Sequence, residues 1–160
     1  MHRGIGGATI ALLAMVGIAQ AQLVEKTSLT LDGARTIASA AEAKAKADGA
    51  RVVIAIVDES GTLLLLERLD GTQVASVDVG IDKARTAAIY RRPSKVFEDQ
   101  VKNGRVSALA LHGAVALQGG VPIIVGGAVI GAIGVSGETP DQDETIAMAG
   151  AAAAASFRIP

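Results

Sequence analysis

Apolar residues in this chain come in short blocks punctuated by glycine, and the blocks predict strands. The stretch Val106 to Gly137 reads VSALALHGAVALQGGVPIIVGGAVIGAIGVSG. It holds three such runs in succession, Ala114 to Gln118, Val121 to Val125 and Ala128 to Ser136. Gly119-Gly120 separates the first two and Gly126-Gly127 the last two. Paired glycines between β-branched runs suit hairpin turns, which need a positive φ that glycine adopts without a Cβ clash. Upstream, Arg51 to Asp58 (RVVIAIVD) is apolar almost throughout, as a strand buried on both faces should be. Glu59-Ser60-Gly61 turns the chain, and Thr62 to Leu69 (TLLLLERL) returns as the partner strand.

Elsewhere the period lengthens to that of a helix. Leu31, Ala34, Ile37, Ala38, Ala41 and Ala45 share one face of a segment from Thr30 to Asp48, which Gly49 ends. A second helix runs from about Val74 to Arg92, with Val77, Ile81, Ala84 and Ala88 on its apolar stripe and Asp78, Asp82 and Arg85 on another face. Pro93 breaks it, and Ser94 is placed to cap a short third helix, Lys95 to Asn103. Val106 to His112 stays open between a loop and a helical turn. Thr139-Pro140-Asp141-Gln142 has the form of a capping box with proline at N1, and starts an alanine-rich helix that spans Glu144 to Ser156. Asp143 and Glu144 there complement the helix dipole. The order α-ββ-α-α-βββ-α is no βαβ alternation. It predicts a five-stranded antiparallel sheet with helices packed on it, an α+β fold.

Two features of composition change this picture. Met1-His2-Arg3, the apolar run Gly4 to Ile18 and Ala19-Gln20-Ala21 have the three parts of a secretory signal peptide. Residues 1–21 are therefore expected to be removed, leaving residues 22–160 as one domain, periplasmic or secreted, with no stable membrane span after cleavage. The chain also has no cysteine, which excludes disulfides, zinc–thiolate sites and iron–sulfur clusters. Its formal charge of −1, with no basic cluster, speaks against nucleic acid as a partner. A mean hydropathy above zero in so small a domain predicts apolar helix faces covered by further copies of the chain, a homo-oligomer.

Candidate chemistry is sparse. Gly131 to Gly137 (GAIGVSG) superficially suggests a dinucleotide fingerprint, but its glycines lie inside a strand, where they more often mark close approach of a helix. Asp78 and Asp82, one helical turn apart, are a candidate cation pair, and equally a solvated face beside Lys83 and Arg85. His112 is the one histidine left after cleavage, so any hydrolytic triad would rest on it alone. Imidazole is also a common axial ligand of haem iron, and Tyr90 is a second side chain of that kind. Arg91 and Arg92 beside it suit haem propionates, or simply a helix C-terminus that favours cations.

Six separated segments match one family in order: VVIAIVDESG, ERLDG, DKARTA, RRPS, GGVP and GAIGVSG followed by TPDQDE. On these the chain, from about Leu29 to Ala155, resembles the GlcG/HbpS-like family. The resemblance implies a profilin-like three-layer α/β/α domain, commonly oligomeric. It implies binding of haem or another tetrapyrrole, with secreted members linked to haem sensing or degradation. The alternative it leaves is a haem-free small-molecule binding or sensory module. Members often carry Pro-Gly ahead of the Gly-Gly-x-Pro strand pair. This chain has His112-Gly113 there. Under the haem reading the site residues are His112, Tyr90, Arg91 and Arg92, with Asp78 and Asp82 as a separate metal pair.

Overall fold

A computed structural model describes residues 23–24 and 26–159. The signal segment 1–21 and its cleavage site lie outside the described residues. Helix α1 (Leu31–Ala47) is followed by the hairpin β1 (Val53–Asp58) and β2 (Leu63–Arg68). Helices α2 (Ser76–Ile89) and α3 (Lys95–Lys102) come next. A 3-10 turn over Val106–Ala110 leads to the hairpin β3 (Gly120–Val125) and β4 (Ala128–Ser136), and α4 (Pro140–Ala152) closes the fold. The strands form one antiparallel sheet in the order β2-β1-β4-β3.

The sheet has four strands, not the five expected. Ala114 to Gln118 forms no ladder because distant side chains satisfy its backbone. Val115 N–H donates to Thr86 Oγ1 at 2.9 Å, Gln118 N–H donates to Glu98, and the Leu117 carbonyl accepts from Ser94 Oγ at 2.6 Å. The Ser94 hydroxyl, expected as a helix cap, also accepts from Gly120 N–H at 2.8 Å and makes no cap bond. Gly126 and Gly127 hold φ of 58° and 80°, as the predicted hairpin turn requires.

Alternation along β1 sorts the core into two layers. Ile54 and Ile56 pair with Val135 and Ile133 and face α1 and α4, where Ile37, Ala41, Ile146 and Ala147 are buried against them. Ala55 and Val57 pair with Gly134 and Ala132 and face α2, where Ala84, Ala87 and Ala88 close the second layer. The sheet is therefore sandwiched between helices on both faces. On the α2 side Ala55, Ala132 and Gly134 are small, so the helix lies close there. A Cβ at Gly134 would collide with the Gly80 carbonyl oxygen and the Ala84 amide. Of the glycines of GAIGVSG, Gly134 thus admits a helix backbone, while Gly131 and Gly137 lie against the backbone of Val57 and Arg51.

One ion pair crosses the layers. Lys83 Nζ, on α2, donates to Asp143 Oδ2 at 2.8 Å and to the Val135 carbonyl at 3.0 Å, with both side chains almost wholly buried. Asp143 Oδ1 accepts from Glu138 N–H at 3.0 Å. Burial pushes the Asp143 carboxyl above its ordinary pKa, against the lowering by Lys83 and the backbone amides. Sequence pattern assigns Asp143 to the dipole of α4; the structure makes it a tie between α2, β4 and α4. The capping box of α4 forms as expected, with Thr139 and Gln142 bonded reciprocally.

Candidate functional site

The turns β1–β2 and β3–β4 lie at the same end of the sheet, since β4 runs antiparallel to both neighbours. Helix α2 ends there too, with Arg85 and Ile89 against Gly61. Three segments of interest therefore converge: the end of α2, the loop at His112 and the two hairpin turns. Asp58 braces the first turn. Its Oδ1 accepts from the Ser60 hydroxyl at 2.6 Å and from the amides of Ser60 and Thr62, both at 2.9 Å. Burial raises the Asp58 pKa, but these hydrogen bonds outweigh it and hold the carboxyl below its ordinary value.

Tyr90 and His112 are brought together through the backbone. The Tyr90 hydroxyl donates to the His112 carbonyl at 2.7 Å, and its ring meets buried Phe97 edge-on, centroids 5.0 Å apart. This is the geometry of a strut. The Tyr90 hydroxyl is engaged by this hydrogen bond, so of the two candidate ligand side chains the imidazole of exposed His112 is the one left available. Arg92 Nε donates back to the Tyr90 carbonyl at 3.1 Å. Arg91 adopts φ 53°, the one positive φ outside glycine among the described residues.

Arg91 lines a surface depression of about 550 Å³ with Val24, Lys26, Glu59, Ile124 and Val129. Sequence reasoning missed this depression. Lys26, Glu59 and Ile124 are far apart in the chain, and only the pairing of β1 with β4 and of β4 with β3 gathers them. Glu59 already accepts from the Ser28 hydroxyl at 2.7 Å. The proposed metal pair stands apart from this corner. Asp78 is exposed, and Asp82 pairs with Arg85 at 3.1 Å. Among the described residues no three His, Asp or Glu side chains gather as a metal site would require.

The residues present fit a tetrapyrrole in their donor chemistry: an available imidazole, exposed guanidinium groups and apolar walls lie at one end of the fold. The fold defines a small mixed α/β domain with an antiparallel sheet and four helices. The chain belongs to the HbpS-like family, whose model, described as haem degrading protein HbpS-like, matches residues 29–152. Protein GlcG of Escherichia coli K12 is 40% identical over 111 residues, covering 69% of this chain and 83% of GlcG. The crystal structure of HbpS superposes with a TM-score of 0.75 at 35% identity, covering 82% of this chain and 93% of that one. A crystal structure of a PduOC:heme complex gives 0.72 at 27% identity, with 79% and 95% covered.

Proposed function

We propose that this protein binds haem at the corner formed by the end of α2 and the His112 loop. One contact carries the reading: the Tyr90 hydroxyl on the His112 carbonyl holds the loop that bears this exposed histidine to the end of α2, where Arg91 follows. Family membership supports it, as does the fold shared with a protein crystallised as a haem complex. In this assignment His112 would hold the haem iron, Tyr90 positions its loop, and Arg91 would meet the haem carboxylates, while Arg92 is folded back on the Tyr90 carbonyl. Bound haem supplies an iron centre with its redox and gas-binding chemistry. The role proposed is holding or sensing haem, with degradation as the further step that the family's description names.

Export completes the proposal. The N-terminal segment reads as a secretory signal, which makes the working protein periplasmic or secreted, and association of copies through exposed apolar residues completes the assembly. The test is a haemin titration of the chain from Gln22, followed by Soret absorbance. Saturable binding is expected. His112→Ala should abolish the ligand-field signature, whereas Tyr90→Phe should weaken binding and keep it. No saturable binding above an unrelated control protein overturns the haem reading in favour of a haem-free ligand. Unchanged spectra in His112→Ala overturn the ligand assignment.

A further inference from the structure

We infer that the depression beside Arg91 is a carboxylate-recognition site, which selects its amphipathic ligand by acid groups and does so without iron. The inference rests on the haem reading above and specifies how the ligand is chosen.

Three observations carry it. The first is charge. Arg91 and Lys26 both line the depression, and the one acid lining it among the described residues, Glu59, accepts the Ser28 hydroxyl. Among the described residues Arg91 forms no ion pair, unlike Arg35 and Arg85, which hold Asp32 and Asp82. The second is the wall. Val24, Ile124 and Val129 line the same depression, and Val24 and Ile124 are 84% and 54% exposed. Apolar walls beside two cations fit a ligand that has an apolar body and acidic ends. The third is conformation. Arg91 follows the C-cap Tyr90, at a position where helices usually place glycine because the chain turns left-handed. A side chain kept there against that cost is one whose guanidinium the site uses.

The two arginines then part company. Arg92 is folded back on the Tyr90 carbonyl, while Arg91 faces the depression. The clamp is Arg91 with Lys26, and a planar guanidinium can hold a carboxylate with two parallel hydrogen bonds.

The test compares three probes on the full chain by absorbance and fluorescence titration: haemin, metal-free protoporphyrin IX and protoporphyrin IX dimethyl ester. Haemin and the free diacid should both bind, with the ester weaker by about tenfold or more, the scale of one charge-assisted hydrogen bond. Arg91→Gln should weaken both acids about tenfold and leave the ester unchanged, and Arg92→Gln should change all three by less than about twofold. Arg91→Gly separates charge from folding: it should bind as weakly as Arg91→Gln while raising Tm. A dimethyl ester that binds as tightly as free protoporphyrin IX, or haemin that binds with equal strength in Arg91→Gln, overturns the inference alone. Failure of all three probes overturns it together with the haem reading.

Discussion

Arg91 and Asp58 show what single residues do at this end of the molecule. Arg91 sits at φ 53°, where a Cβ costs about 1–2 kcal/mol relative to the ordinary helix region. Arg91→Gly should therefore stabilise the fold by roughly 0.5–1 kcal/mol, the relief less the added freedom of glycine in the unfolded chain, read by urea denaturation. A gain in stability coupled to a loss of ligand is the signature expected of a site residue. Asp58 works the other way. Its carboxylate closes the β1–β2 turn, and Asp58→Ala should cost about 1–2 kcal/mol at neutral pH. Because its pKa is held below 3.8, the contribution is complete above that value and is lost as pH falls through the lower folded pKa. The gap between wild type and Asp58→Ala in denaturation midpoints should thus close in acid and persist at pH 7.

At the scale of elements, α2 decides the architecture. It lies on a floor of Ala55, Ala132 and Gly134, so adding one methyl at Gly134 drives β4 against its backbone. Gly134→Ala should cost about 3 kcal/mol, measured by thermal or urea unfolding. The Lys83–Asp143 pair ties the same helix across the sheet to α4. Lys83→Met leaves a buried carboxylate without its cation and should cost about 3–5 kcal/mol, while the double change Lys83→Met with Asp143→Leu should recover most of it. Both effects depend on distance along the chain, which governs what the sequence reveals. The run Arg51 to Leu69 is legible because its apolar character and its turn are local. Ala114 to Gln118 has the same outward signature, an apolar run closed by glycines, yet its hydrogen bonds go to Thr86, Ser94 and Glu98. No local pattern carries that information. The site divides likewise: Tyr90, Arg91 and His112 stand out by residue type, whereas Lys26 and Ile124 join them only once the hairpins have paired.

Across the whole molecule, apolar side chains remain at the surface in several places. Val106 and Leu109 on the 3-10 turn are 65% and 64% exposed, and Met148 on α4 is 58% exposed. The sheet also ends in two edge strands, β2 and β3. Association of copies should cover part of this surface, and light scattering coupled to size exclusion should give a mass several times that of one chain at micromolar concentration. A monomeric mass would count against it. Among the described residues no helix is long and apolar enough to cross a membrane.

The cross-layer tie of α2 has a dynamic counterpart. A helix wedged against glycine on one side and bound by a buried lysine to the far layer cannot fray independently of the sheet. Its central amides, Lys83 to Ala88, should exchange with deuterium only when the whole domain opens, among the slowest in the protein. Ligand held at Arg91 stabilises that entire cooperative unit by mass action, so protection should rise by the same factor in α2, β1 and β4 alike, and not only around the corner it occupies.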